Sequence, residues 1–498
     1  MRRLRSIAAL GLTLGLGLGL AGCGLTRPPA AVEAPFPAQW HAPLPHGGSL
    51  ASLADWWRQL DDPLLVELIA AAEAASPNLA SAAARVAEAR STRVQAGAAL
   101  LPNLDATASA SRGVSGSSFG SGGAASSSSS STAAIAPLTT LQAGLQSKWE
   151  IDLFGRLRAD RDSAEQKLSS ATAKWHEARV AVAAETANAY FAERACQQQL
   201  RVSESDAKSR GETARLTDLS ARAGFTAPAD AALARASASD ASGRLTQQRA
   251  VCAVQRKALV ALSGIDEPTL ERKLAASPAQ RTLPAVGSIA SVPAEAISQR
   301  PDVYAAELGV ASASADVGSA EAERYPRLSI SGSIGRMQIR TSGFRESLDT
   351  WTIGPVSLTV PLLDGGARAA NSDAAKARYT EAVSLYRANV RQAVREVEEA
   401  LVNLEATDAR AADADAAVKN YQASFDATQA RYQSGLASLF ELEDSRRTLF
   451  AAQTARVSLQ RERTEAWVAL YRSMGGGWTR PESPSMTSNP AAKVATSP

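Results

Sequence analysis

Few side chains in this sequence of 498 residues could do chemistry. Thiols can ligate a metal, act as nucleophiles, carry a lipid or pair with one another; there are three, Cys23, Cys196 and Cys252. Imidazoles can ligate metals or move protons; the three are His41, His46 and His176. Neither set clusters, which excludes a His/Cys metal centre. Gly116-Ser117-Ser118-Phe119-Gly120 has the form G-x-S-x-G. That motif makes a nucleophile only at a strand–turn–helix junction with His and acid partners. Here it sits in a Ser/Gly tract between Arg112 and Thr132, expected to be an exposed loop. Walker, HExxH and Rossmann fingerprints are absent from the sequence. No metal, no cofactor and no enzymatic centre is expected.

The formal charge of +3 comes from 53 basic and 50 acidic side chains. Arg2, Arg3 and Arg5 account for the whole excess, so without them the two counts are equal at 50. A nucleic-acid partner therefore has no electrostatic basis. Aromatic residues are only 5%, which is low for a chain of this size built on ordinary globular cores. Alanine with Glu, Arg and Gln in long runs points to close-packed helices.

The remaining chemical position is Cys23. Met1–Arg5 is basic, Ile7–Leu20 is an apolar run broken by glycines, and Leu20-Ala21-Gly22-Cys23 follows. The run is short for a membrane-spanning helix, which needs about 20 apolar residues. Small residues directly before a cysteine resemble the bacterial lipoprotein box. The resemblance implies a signal peptide over residues 1–22, acylation of Cys23, and an extended lipidated arm over 23–50. Gly24, where an inner-membrane lipoprotein would carry Asp, favours the outer membrane by the same resemblance.

The elements that must position anything functional are arranged as a duplication. At an offset of 224 residues Pro77 falls on Pro301, Pro102 on Pro326 and Leu104 on Leu328, without a gap. Helix breakers then mark out each half. Asn78–Leu101 and Asp302–Tyr325 are 24 residues each; Arg156–Ala223 and Ala367–Ser434 are 68 each. Ala229–Ser263 and Leu436–Met474 are medium helices. At ~1.5 Å per residue the longest reach about 100 Å, more than a globular core is thick. Val390, Val394, Val397, Leu401 and Leu404 step by 4 and 3, a coiled-coil seam.

Between short and long helices the period changes to two. Leu141, Ala143, Leu145, Trp149, Ile151 and Leu153 alternate with Gln142, Gly144, Gln146, Lys148, Glu150 and Asp152. Leu104–Ala110, Leu328–Ile334 and Val356–Leu362 alternate likewise, and Pro355 argues for a bulge. A soluble sheet with one wet face alternates in the same way. These four strands have about the length that crosses a bilayer when tilted. Four cannot close a barrel, and an open edge in lipid leaves backbone groups unsatisfied. If they cross a membrane, several copies must complete one barrel; three copies give twelve strands.

A lipobox, duplicated halves, two strand pairs and two very long helices together resemble the outer-membrane factor family, of which TolC is a member, and most closely its OprM/NodT-type lipoprotein branch. The likeness covers residues 50 to 475 and rests on several segments. They are Asp55-Trp56-Trp57-Arg58-Gln59-Leu60-Asp61-Asp62-Pro63-Leu64, Ile151-Asp152-Leu153-Phe154-Gly155-Arg156, Arg300-Pro301-Asp302-Val303, Tyr325-Pro326-Arg327-Leu328, Val360-Pro361-Leu362-Leu363-Asp364-Gly365-Gly366 and Arg431-Tyr432-Gln433-Ser434-Gly435-Leu436. It implies a mainly α chain with a small transmembrane β part. The repeats would span 51–287 and 288–475, followed by a disordered tail over 476–498. The assembly would be a homotrimer: an α-helical barrel in the periplasm and a twelve-stranded β-barrel in outer-membrane lipid. The function would be the outer-membrane channel of a tripartite RND-type efflux system, working with a periplasmic membrane-fusion adaptor and an inner-membrane RND pump. Gln142, Gln146, Lys148, Glu150 and Asp152 would line the lumen. The turns Ala223-Gly224-Phe225 and Ser434-Gly435-Leu436 would be the adaptor-docking tips, and Tyr421, Asp426, Arg431 and Tyr432 candidate gate residues.

Cys196 and Cys252 are equidistant from Gly224. In an antiparallel hairpin turning there they lie opposite each other, and an oxidising compartment would join them; two unrelated buried thiols are the alternative. A secretion or metal-export duct of the same build, and a lipid-anchored periplasmic coiled-coil scaffold, remain as other readings of the whole chain.

Overall fold

The computed structural model of the chain describes residues 27–35, 62–113, 137–277, 297–341 and 344–481. The signal peptide, Cys23, the Asp55–Asp61 part of the opening motif, the serine-rich loop beyond Gly113 and the tail from residue 482 lie outside them.

The elements in chain order are α1 (Pro63–Ala75), α2 (Pro77–Ala98), β1 (Asn103–Gly113), β2 (Leu138–Ile151), α3 (Arg156–Arg222), α4 (Pro228–Ser263) and α5 (Glu267–Ala276). Then come α6 (Pro301–Ala322), β3 (Arg327–Thr341), β4 (Phe344–Thr359), α7 (Ala367–Gln433) and α8 (Leu439–Ser473). Both long helices have 67 residues. Proline sits at the first position of α1, α2, α4 and α6, where its missing N–H costs no hydrogen bond. The chain divides into two compact units, and each draws on both halves of the sequence. One takes residues 1–32, 87–168 and 308–383; the other takes 33–86, 169–307 and 384–498.

The first unit holds one antiparallel sheet of order β1-β2-β3-β4. Gly144 pairs with Gly335 at its centre. A methyl on Gly144 would lie 2.6 Å from the Ile334 carbonyl oxygen, and one on Gly335 2.7 Å from that of Ala143, so only glycine permits this approach. β3 and β4 run longer than their alternation suggests, 15 and 16 residues, with Thr341 closing β3. Val360 and Leu362, expected to continue the fourth strand, follow its end at Thr359. The register slips between Ile330 and Gly332, opposite the cis Gly354–Pro355 peptide, which is the bulge Pro355 predicts.

Each long helix is started by an aspartate. Asp152 accepts hydrogen bonds from the Leu157 and Arg158 amides, 3.2 and 2.9 Å. Asp364 accepts from the Gly366 and Arg368 amides, 3.0 and 3.2 Å, which hold its carboxyl below the usual range. The positive end of the helix favours a carboxylate at this place. In the same unit Arg27 of the N-terminal arm reaches Asp162, and the Tyr379 hydroxyl donates to the Pro29 carbonyl at 2.9 Å.

In the second unit α1 buries Leu64, Leu65, Leu68, Ile69 and Ala72, with α4 as its neighbour. On α7 the expected seam is buried at Val390, Val397, Leu401 and Leu404 and half-buried at Val394. Ala393 and Ala400 are buried too, so small side chains widen the stripe and let helices approach closely. Part of the segment expected to be a disordered tail, residues 476–481, lies among the described residues. The Trp478 ring lies 5.5 Å from that of Tyr304 and Arg480 binds Glu307 at 2.8 Å.

Candidate functional site

The sheet has two chemically different faces. Directly paired residues of an antiparallel sheet point the same way. One face carries Asn103, Asp105, Thr107 and Ser109 of β1 beside Lys148, Gln146, Gly144 and Gln142 of β2. Ser331 and Ser333 of β3 continue that face, and the Ser333 hydroxyl lies 2.8 Å from that of Thr352 on β4. The opposite face carries Leu104, Ala106, Ala108 and Ala110 with Leu145, Ala143 and Leu141. Ile330 and Ile334 extend it on β3, with Val356 and Trp351 on β4. Trp351 and Ile353 are 71% and 89% exposed, a cost in water that an apolar surrounding removes. β1 and β4 are both edges, with one row each of unpaired backbone groups.

Of the expected lumen residues, Gln142, Gln146 and Lys148 share the polar face. Glu150 shares it but binds Arg156 at 2.9 Å. Asp152 is corrected: it follows the end of β2 at Ile151 and is spent on the start of α3. The attraction of a helix N-terminus for a carboxylate outweighs continuation of the strand alternation. On the apolar face Trp149 satisfies its indole N–H on the Leu100 carbonyl, 2.9 Å away.

At the far ends of the long helices the chain reverses through two similar turns. Gly224 and Gly435 have φ of 81° and 74°, which only glycine adopts without strain. Phe225 N–H donates to the Ser220 carbonyl at 2.9 Å, and Leu436 N–H to that of Arg431 at 2.8 Å. These bonds close the open carbonyls of α3 and α7. Ala223, Gly224, Phe225, Ser434, Gly435 and Leu436 are all exposed, Phe225 at 86%. α8 restarts with a capping box: the Ser438 hydroxyl accepts from Glu441 N–H and the Glu441 carboxylate from Ser438 N–H.

The four expected gate residues are not one cluster. Tyr421 is exposed, and Asp426 accepts from Gln422 at 2.9 Å. Arg431 donates to the Leu436 carbonyl at 3.1 Å, bracing the turn. Tyr432 packs on a core of Ala214, Ala234, Phe425, Leu439 and Leu442, with its hydroxyl 3.1 Å from that of Thr217 on α3.

A buried ionic group near the turns was not foreseen from the sequence. Arg210 on α3 binds Asp206 at 2.9 Å, Glu443 on α8, and the Ser237 hydroxyl on α4 at 2.6 Å. Arg446 joins from α8 through Glu443 at 2.5 Å, and burial lowers its pKa. The only local hints are Asp206/Arg210 and Glu443/Arg446 at helical spacing, indistinguishable from surface pairs. Arg300, by contrast, lies in a segment singled out above; it binds Asp302 and Glu396, at 2.6 and 2.8 Å, and the Ser473 carbonyl.

Cys196 of α3 and Cys252 of α4 form a disulfide with Cα atoms 5.5 Å apart. No group of His, Cys, Asp and Glu suited to a metal ion occurs among the described residues. No helix among them is long and apolar enough to cross a membrane.

The sequence model of the outer membrane efflux protein family matches residues 68–265 and 292–476. The pyoverdine export outer membrane protein OpmQ of Pseudomonas aeruginosa is 30% identical, over 92% of this chain and 95% of its own. The toluene efflux pump outer membrane protein TtgI of Pseudomonas putida is 29% identical over 93% and 97%. Among solved structures, the outer membrane protein VceC of Vibrio cholerae matches with a TM-score of 0.72 and 26% identity, covering 86% of this chain and 99% of that one.

Proposed function

Because the chain belongs to the outer membrane efflux protein family, we propose that it is the outer-membrane channel of an RND-type tripartite efflux system, releasing small molecules from the periplasm to the exterior. The observation that carries this reading is the sheet: four strands, apolar on one face, polar on the other, with both edges unpaired. Such an object is stable in hydrocarbon only when its edges are closed. Closure by three copies gives a twelve-stranded barrel, within the known range of transmembrane barrels. The polar face then lines the lumen, where Gln142, Gln146 and Lys148 let water and amphiphilic cargo pass without a hydrocarbon barrier.

The exposed turns at Gly224 and Gly435 are the surface for a periplasmic membrane-fusion adaptor, which joins the channel to an inner-membrane RND pump. Phe225 and Leu436 are the apolar anchors of those tips. Tyr421, Asp426 and Arg431 are the gate residues near those turns, with Tyr432 holding α7 on α3. Cys23 carries the lipid that adds a second hold on the membrane. Relatives of nearly equal identity are named for pyoverdine export and for toluene efflux. A duct of this build therefore does not by itself select its cargo.

The test is deletion of the gene followed by drug and solvent susceptibility, with conductance of the purified protein in planar bilayers. Raised susceptibility and stepwise ion currents are expected. A purified monomer that neither conducts nor changes its migration on heating sinks the reading.

A further inference from the structure

The face of the sheet that meets lipid changes character along the strands. Starting from the helix junctions, Ile151, Leu328 and Leu358 lie in one row. Trp149, Ile330 and Val356 make the next, and Leu145, Ile334 and Trp351 follow. From Leu328 to Ile334 this apolar band rises about 20 Å. Then it stops. Arg336 lies level with Ala143, and Arg340 lies level with Thr139 and Arg345, with Arg112 of β1 opposite Thr139. Four arginines thus gather above the band, against one carboxylate on the same face, Asp349.

Arg336 is 3.6 Å from Asp349, and Gln338 holds the Arg340 guanidinium at 2.9 Å. Arg112 and Arg345 have no ion-pair partner among the described residues. Between the arginines and the first two strands, Ala108, Ala110, Leu141 and Ala143 leave a shallow depression of about 520 Å³ bounded by Arg336 and Gln338. Small side chains replace the large ones of the band below, so the surface is hollow where the charge begins.

We propose that this patch binds an outer-leaflet glycolipid through its phosphate groups. A hydrocarbon-facing hollow beside arginines of which two, Arg112 and Arg345, have no ion-pair partner among the described residues suits an amphiphile. Its acyl chain lies along Leu141 and the alanines, and its phosphates meet Arg112, Arg340 and Arg345. Guanidinium forks match phosphate oxygens two at a time, and their stems tolerate contact with acyl chains. The inference rests on the sheet lying in the outer membrane, as proposed above.

The experiment uses the purified full-length trimer in neutral detergent and lipid A, a bisphosphorylated acylated disaccharide, beside its dephosphorylated form. Native mass spectrometry reads the bound lipid. The wild type is expected to bind the phosphorylated form about 10- to 100-fold more tightly, and the triple variant R112Q/R340Q/R345Q to lose that preference. Inorganic phosphate at the same concentration should not displace the lipid. Equal binding of both lipids, a preference surviving in the triple variant, or displacement by inorganic phosphate would each overturn the site. If the triple variant does not assemble, the lipid pair on wild type alone decides. Conductance of the wild type in phosphatidylcholine bilayers separates the two levels. Currents without phosphate preference sink the lipid site only, whereas absence of currents removes the membrane reading and this site with it.

Discussion

Two residues show how much single polar groups do in a fold so rich in alanine. Asp62 caps α1 through the amides of Leu64 and Leu65, 3.1 and 3.3 Å, while its other oxygen accepts from the Tyr190 hydroxyl at 2.6 Å. Burial and Asp62 together push the Tyr190 pKa up to about 12. Asp62→Ala removes a cap and strands a buried hydroxyl, at a combined cost of about 2–4 kcal/mol. Denaturant unfolding of the solubilised protein checks this, and a loss below experimental error would refute the role. Glu321 is the acid-side counterpart. Lys376 at 2.6 Å and the Ser372 hydroxyl at 2.7 Å hold its carboxyl down to about 2 from an ordinary 4.5. Its folded pKa lies below the unfolded one, so its contribution is complete above pH 4.5 and disappears as pH falls toward 2. Glu321→Gln should therefore flatten the decline of thermal stability across that window and leave the neutral region with a small constant loss.

Among the elements, the strand pair β2–β3 is the least tolerant. Gly144 and Gly335 face each other, and a methyl on either meets backbone atoms at 2.6–2.8 Å. Gly335→Val should abolish the heat-resistant oligomer on gels while leaving the helical circular dichroism of the monomer in place. Much of this level was legible in the sequence. The 224-residue offset, the prolines opening α2, α4 and α6, and the glycines after α3 and α7 marked out six of the eight α-helices among the described residues, while α1 and α5 were not foreseen. The strands were read only where one face is apolar, because alternation is visible only there. Arg336, Gln338, Arg340 and Arg345 break it on β3 and β4, so their upper halves went unseen. The Asp206–Arg210–Glu443 group was illegible for another reason: Glu443 lies 233 residues from Arg210, and only packing of α3 against α8 brings the two together. Asp152 misled because the same carboxylate fits both an alternating strand and a helix start.

At the scale of the whole molecule the two unpaired edges set the assembly. In the proposed channel β4 of one copy meets β1 of the next, antiparallel, since a spanning sheet cannot leave them open. A cysteine at Thr350 on β4, tested against single cysteines scanned from Leu104 to Ser111 on β1, should give oxidised dimers and trimers at one register. A scan yielding only monomer at every position would exclude closure by copies of this chain. Such pairs must be built in a background where Cys196 and Cys252 remain bonded to each other.

That bond has an effect on movement. Each cysteine stands 28 residues from Gly224, so the staple ties α3 to α4 about 40 Å above their turn. α7 and α8 contain no cysteine at all. In the proposed channel each protomer brings to that end one hairpin tied by a disulfide and one without it, so the second hairpin is expected to carry any dilation. Reductant, by releasing the first, should lengthen the open dwell times of single channels, and identical dwell times would show that the staple leaves the aperture alone.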